Sequence, residues 1–335
     1  MVTLKDVAQK AGVNISTVSR VLNSNKNISS KTAEIVRQAA KELGYVPNYT
    51  ARILAGKKSN IIGIMVPEIH SDYYSNIINA IELNLQKKGY FLFITNTQYN
   101  AQKEIHAIQN YINYNVDGVF ITAQTDSESL TQYQDILSSR NVPMVALDVR
   151  KPIHNINQII VDELYGFTEA ISQLKKKGHR KFCFLGDSIM DLCGRTELFR
   201  QAAAANKISV ENTLIEIHPT KRFEEAGYES MQKCLSLPNY PTAYIAGYDD
   251  MAIGAMKAAY DHNLEIPKDI AMVGIDNSRE AKYLYRSLST LMPPIDRMSS
   301  VAVDIMMNLI SRKEEAEPEF HSVVLKPTLY FRETT

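Results

Sequence analysis

From Asn60 onward, short, largely apolar runs alternate with stretches in which apolar residues recur every three or four positions. Residues 61–66, 91–95, 118–121 and 144–148 are runs of the first kind. Residues 77–88, ending at Gly89, and a stretch carrying Ile105, Ile108 and Ile112 are of the second. The first pattern predicts strands buried on both faces and the second amphipathic helices. A second series follows residue 160: helix 165–177, strand 181–185, helix 195–206, strand 214–217, helix 223–235, strand 242–246, helix 249–262 and strand 270–275. Two consecutive strand–helix series predict two doubly wound parallel-sheet lobes. Ligands in such sheets sit beyond the carboxyl ends of the strands, so two facing lobes frame a cleft.

The first 46 residues carry only the helical period. Leu4, Val7, Ala8 and Ala11 share one face, and Gly12 follows where the chain needs positive φ. A second helix starts near Asn14, with Val18, Val21 and Leu22 inward and Ser16, Thr17, Ser19, Arg20 and Asn23 outward. A third, 30–43, buries Ile35, Val36, Ala39 and Leu43 and ends at Gly44. Two short helices joined by Ala11-Gly12-Val13 form a helix-turn-helix.

Charge sharpens this division. The chain is neutral overall, yet residues 1–58 hold ten Lys or Arg against three Asp or Glu, leaving 27 against 34 in the other 277. A basic head on an acidic body predicts a polyanionic partner for the head, with a solvated basic face as the alternative. Ser16 and Thr17 open the second helix, and Arg20, one turn on, suits bidentate reading of guanine in the major groove. A small helical interaction module is the competing reading.

Other classes lack support. No run of about 18 apolar residues predicts a membrane span, and the start, Met1-Val2-Thr3-Leu4-Lys5-Asp6, does not read as a signal peptide. Cys183, Cys193 and Cys234 lack metal-ligand spacing, and Cys183 sits in an apolar run. A cytoplasmic protein with reduced thiols is expected. No nucleophile elbow, phosphate-binding glycine loop or zinc motif occurs, so neither enzyme activity, catalytic residue, metal nor cofactor is expected.

The string Thr3-Leu4-Lys5-Asp6-Val7-Ala8, then Ala11-Gly12-Val13, then Ser16-Thr17-Val18-Ser19-Arg20-Val21-Leu22-Asn23 resembles the head of the lactose/galactose repressor family. So do Leu43-Gly44-Tyr45-Val46-Pro47-Asn48 and Leu54-Ala55-Gly56. Lys177-Gly178-His179, Ala252-Ile253-Gly254 and Gly274-Ile275-Asp276 extend the resemblance across the body. It implies a sequence-specific transcription regulator, a repressor, that binds a palindromic operator in double-stranded DNA as a homodimer. Its expected DNA contacts are Thr3, Ile15, Ser16, Thr17, Ser19, Arg20, Asn23 and Lys26, with Leu54, Ala55 and Lys57 in the hinge. In the family Leu54 wedges into the minor groove and bends the duplex; a plain linker is the alternative for this segment.

The resemblance also implies a periplasmic-binding-protein-like core that holds a small-molecule effector. The expected organisation is a head over 1–46, a hinge over 47–59 and a core over 60–335. The first lobe is expected over about 60–160 and 291–321, the second over about 161–290 and 322–335, with final crossovers near 289–293 and 320–323. Strand ends supply the cleft candidates: Tyr73 and Tyr74, Asp148, Arg195, Asp249 and Asp276, with Phe223 as an aromatic wall. The family positions of Arg195, Asp249, Asp276, Tyr73 and Tyr74 line the effector site, whereas Asp250 reads as a helix cap. The family commonly has Asn-Asp where this chain has Asp249-Asp250, and Gly where it has Leu198, so a more acidic cleft of different shape is expected. Carboxylates around one guanidinium suit a neutral sugar better than a phosphate. The alternatives are a purine-type corepressor and control by a phosphorylated carrier protein. The chain ends without heptads, which favours a dimer over a coiled-coil tetramer.

Overall fold

The computed structural model describes residues 2–22, 28–45, 58–122, 127–192, 194–312 and 319–335. They divide into two units, Met1–Ser59 and Asn60–Thr335.

In the first unit, α1 (Leu4–Ala11) is opened by a reciprocal capping box. The Asp6 amide donates to Thr3 Oγ1, and Asp6 Oδ2 accepts from the Thr3 amide at 2.7 Å. Gly12, at φ 66°, ends the helix with its N–H turned back on the last turn. The helices α2 (Ile15–Leu22) and α3 (Ser30–Glu42) then pack Val18, Val21, Val36, Ala39 and Ala40 against Val7 and Ala8. Val7, Val18 and Val36 are wholly buried, each worth about 1.5–3 kcal/mol, which is a large share of what so small a core can supply. Ile35, expected inside, is instead 46% exposed. The buried face of α3 runs through Val36, Ala39 and Ala40, and position 35, about 100° from Val36, falls at its rim.

The second unit holds two six-stranded sheets. In the first lobe the chain runs β1 (Ile61–Val66), α4 (Asp72–Gln86), β2 (Phe91–Asn96), α5 (Ala101–Asn113), β3 (Gly118–Thr122), α6 (Ser127–Ser138), β4 (Met144–Val149) and β5 (Asn157–Val161). The second lobe runs α7 (Glu163–Lys176), β6 (Phe182–Asp187), the short α8 (Ser188–Leu192), α9 (Arg195–Ala205), β7 (Thr213–His218), α10 (Phe223–Leu235), β8 (Ala243–Ala246), α11 (Asp249–Asp261), β9 (Ala271–Ile275) and β10 (Ser289–Met292). The chain returns to the first lobe for α12 (Ile295–Ser311) and β11 (Ser322–Leu325), then ends in the second with β12 (Thr328–Tyr330).

The first sheet is ordered β11-β5-β4-β3-β1-β2 and is parallel throughout. The second is ordered β12-β10-β9-β8-β6-β7, with only β12 antiparallel. Helices cover both faces of each, which is why β3, β4, β6, β8 and β9 are buried along their length and read as nearly continuous apolar runs. The sequence reading gave 322–325 to the second lobe, but Ser322–Leu325 pairs in register with Gln158–Val161 of the first. Its alternating burial is that of an edge strand, a pattern that carries no lobe label. Cys183 and Cys234 are buried thiols 3.8 Å apart in the second lobe's core.

Two glycine contacts fix the geometry near the cleft. A Cβ on Gly254 of α11 would overlap the Glu224 carbonyl of α10, so these helices cross at backbone contact. A Cβ on Gly274 would overlap Asp249 Oδ1, so the Gly274-Ile275-Asp276 string is glycine-led because a carboxylate lies against it.

Candidate functional site

Within the head, α2 presents Ile15, Ser16 and Arg20 as exposed side chains and Thr17 and Ser19 as half-buried ones. Ile15, 48% exposed, is a large apolar side chain left on the surface of a unit with little core to spare. An exposed aliphatic beside hydroxyls and an arginine matches what a major-groove helix presents to thymine methyls, base edges and phosphates. Thr3 Oγ1 donates to Asp6 Oδ2 at 2.7 Å and so serves the α1 cap. Asn23, Lys26, Leu54, Ala55 and Lys57 lie outside the described residues, as does most of the expected hinge.

The cleft is built from strand ends. Tyr73 and Tyr74 stand in the first turn of α4, with their rings edge to face at 5.1 Å. Both are buried in the first lobe's apolar core, so they form the floor of the site rather than an open platform. Asp148 is the bulged residue of β4, at φ 58°, where the register slips between Leu147 and Val149. The bulge turns its carboxyl to the Tyr73 hydroxyl, which donates to it. Burial, followed by repulsion from Glu163, raises the Asp148 carboxyl to about 6.

From the second lobe comes Arg195, first residue of α9 and 6% exposed. Its Nε donates to Glu163 Oε1 at 2.9 Å, Nη2 donates to the same oxygen, and Nη1 donates to the Gly247 carbonyl at 2.6 Å. Burial opposes both charges, but each ion holds the other in its charged form, and Glu163 stays below the ordinary carboxylate range. Arg150 of the first lobe approaches the other Glu163 oxygen at 3.8 Å. Asp276 follows β9 at φ 107°. Burial pushes its carboxyl well up, against the pull of Arg195 and with the push of Asp249, Asp250 and Glu163. Tyr73, Asp148, Arg195 and Asp276 therefore share one electrostatic neighbourhood, drawn from both lobes.

Two expectations change. Asp249, taken as a ligand contact, is 1% exposed and has both oxygens engaged within its lobe. Oδ2 accepts from the Ser278 amide and Oδ1 from the Thr290 hydroxyl, both at 2.7 Å. It braces the turn that carries Asp276. Asp250, taken as the cap, is the second residue of α11, and Tyr248 stands at the cap position. The Asp250 carboxyl is raised to about 6 by burial and then by Glu224, Asp72, Glu280 and Glu68, an acidic set drawn from both lobes. Phe223 packs on Tyr248 at 5.3 Å and beneath Arg222 at 4.5 Å, and Tyr248 follows Gly247, whose carbonyl accepts from Arg195.

Sequence reasoning missed Glu68, Glu163, Asp187 and Arg222. Arg222 Nη1 donates to Glu68 Oε2 at 2.7 Å and Nη2 to Oε1 at 3.3 Å, across the lobes, while Nε donates to Asp187 Oδ2 at 3.1 Å. All four are charged residues at or within two positions of a strand end or helix start, and that position was the available signal.

Comparison with known proteins adds an independent line. Residues 3–48 match the profile of bacterial regulatory proteins of the lacI family, and residues 171–335 that of a periplasmic binding protein-like domain. The chain is 32% identical over 338 residues to the HTH-type transcriptional repressor PurR of Escherichia coli O139:H28 (strain E24377A), across 99% of this chain and 96% of that one. The match to the PurR of Shigella boydii serotype 18 is 31% with the same coverage. Among solved structures, the lac repressor dimer bound to operator and the anti-inducer ONPF superposes with a TM-score of 0.87 at 27% identity, covering 99% of this chain and 98% of that one. The CelR–cellobiose complex shares the fold, with a TM-score of 0.70 at 23% identity and full coverage of both chains.

Proposed function

Because this chain belongs to the lacI family of bacterial regulatory proteins, and is a DNA-binding transcriptional repressor rather than an enzyme, we propose that a neutral sugar in the inter-lobe cleft sets its grip on operator DNA. The observation that carries this is the acceptor-rich cleft. Asp148 from one lobe and Asp250 and Asp276 from the other converge there, while Arg195 spends three donor contacts on Glu163 and Gly247. Hydroxyl groups donate well to such carboxyls, whereas a phosphate meets repulsion from them. The lac repressor dimer, solved with operator and a small molecule together, supports a ligand acting on a DNA-bound dimer.

The physical route is a population shift. A ligand that touches Asp148 and Asp276 together favours the lobe angle at which both reach it. In a dimer each core carries one head, so a changed lobe angle alters how two heads meet two half-sites.

A thermal-shift screen of sugars against the full chain identifies the ligand, and calorimetry on Asp276→Ala then tests the site. The variant retains operator binding and loses about 1–3 kcal/mol of ligand affinity, because a buried hydrogen bond to the ligand is removed. Undiminished ligand affinity in that variant overturns the assignment of the cleft.

A further inference from the structure

Glu68 and Arg222 lie in loops that the strand order leaves facing each other across the lobes. Glu68 is two residues beyond β1, and Arg222 is the residue before α10. Their contact is a paired fork in which two guanidinium nitrogens meet two carboxylate oxygens, the geometry that makes an ion pair directional. Both partners are largely shielded, with 20% and 13% of their side chains exposed, so bulk water screens the pair weakly.

The guanidinium is prepared from behind. Asp187, the last residue of β6, is wholly buried and accepts from Arg222 Nε, which fixes the side chain's direction from inside its own lobe. The rings of Phe223 at 4.5 Å, Tyr99 at 5.3 Å and Tyr248 at 5.8 Å surround the cation. Tyr99 belongs to the first lobe, so the aromatic enclosure spans the lobes as well. An arginine held this way loses little freedom when it meets Glu68, and the entropic cost that cancels most exposed ion pairs is reduced.

We propose that the Asp187–Arg222–Glu68 relay is an inter-lobe latch that holds the two lobes at the angle seen in this structure. The latch shares Glu68 with the acidic set around Asp250, and it holds whether or not the effector is a sugar. It fixes the starting point of the lobe movement: a ligand that favours a different angle works against this pair, and the pair's strength sets how much differential affinity the ligand must supply.

A second inter-lobe contact reports on the latch without taking part in it. The Arg279 amide of the second lobe donates to Asp72 Oδ2 of the first at 3.2 Å. Amide hydrogen exchange of the ligand-free, full-length protein reads that bond directly. In Glu68→Gln, which keeps the side chain's shape and removes its charge, exchange at Arg279 rises about tenfold, while β9 amides keep their protection. Arg222→Lys keeps a cation beside Asp187 but loses the fork; it shows the same rise if Glu68→Gln does not fold. Exchange at Arg279 that matches the parent in a folded variant overturns the latch. Loss of protection across β9 as well overturns it too, because the pair then supports the lobe rather than the join. Neither result depends on which ligand the cleft binds.

Discussion

Replacing Arg195 with Met removes a buried cation and keeps most of its aliphatic volume. The structure sets the scale. Three donor contacts vanish, two to Glu163 Oε1 and one to the Gly247 carbonyl, and Glu163 is left buried with only the more distant Arg150, at 3.8 Å, as a counter-charge. Breaking a buried pair from one side costs about 3–5 kcal/mol, far more than deleting the pair together. For a lobe of this size that lowers the melting temperature by roughly 6–20 °C at neutral pH. The penalty has a pH signature. In the parent, Glu163 is held below its ordinary value of 4.5, so its contribution is complete above that value and fades as the pH falls through the depressed folded value. In Arg195→Met, burial acts on Glu163 without its main counter-charge and drives it upward, so the variant regains stability as the pH falls from 8 toward 5. Urea denaturation of both proteins at pH 8 and pH 5 measures the difference at each. A loss under about 1 kcal/mol, or a gap that stays constant between the two pH values, refutes the reasoning. A double replacement, Arg195→Met with Glu163→Leu, is expected to cost less than Arg195→Met alone.

Arg20→Ala in α2 is expected to cost about 1–3 kcal/mol of operator binding and to relax preference at one base pair; equal weakening on operator and random DNA in a salt-controlled titration reduces Arg20 to a phosphate contact. Leu54→Ala is expected to lower operator affinity and DNA bending together while ligand binding is kept. Unchanged bending in a circular-permutation gel rejects the wedge.

The fold was legible because parallel strands buried on both faces announce themselves as nearly continuous apolar runs. β3, β4, β6 and β9 are such runs, and their order along the chain implies the layers. The elements that escaped lack that signature. β10 and β12 are four and three residues long, and β12 is an edge strand with alternating exposure. β11 was found near its place but given to the wrong lobe, because a strand's own residues do not name the neighbour they pair with.

The site was legible by position and not by role. Strand ends identified Asp148, Arg195, Asp249 and Asp276, yet the sequence has no term for direction. Asp249 and Asp250 are chemically identical neighbours, and a helix start turns them about 100° apart. One therefore points into the lobe, where Gly274 leaves room for it and the Ser278 amide and Thr290 hydroxyl meet it. The other points to the acidic set that spans the lobes. This division of labour explains the double acid physically. A carboxylate that braces the Asp276 turn is fully engaged within its lobe, so the cleft's acidity has to come from its neighbour. The same logic covers the arginines. Arg195 is engaged by Glu163, and Arg222 by Glu68 and Asp187, so two positive charges in the sequence become two internal ties in the structure. What remains to meet a ligand is predominantly carboxyl oxygen, and that is the ground on which we propose a hydroxyl-rich ligand over an anion.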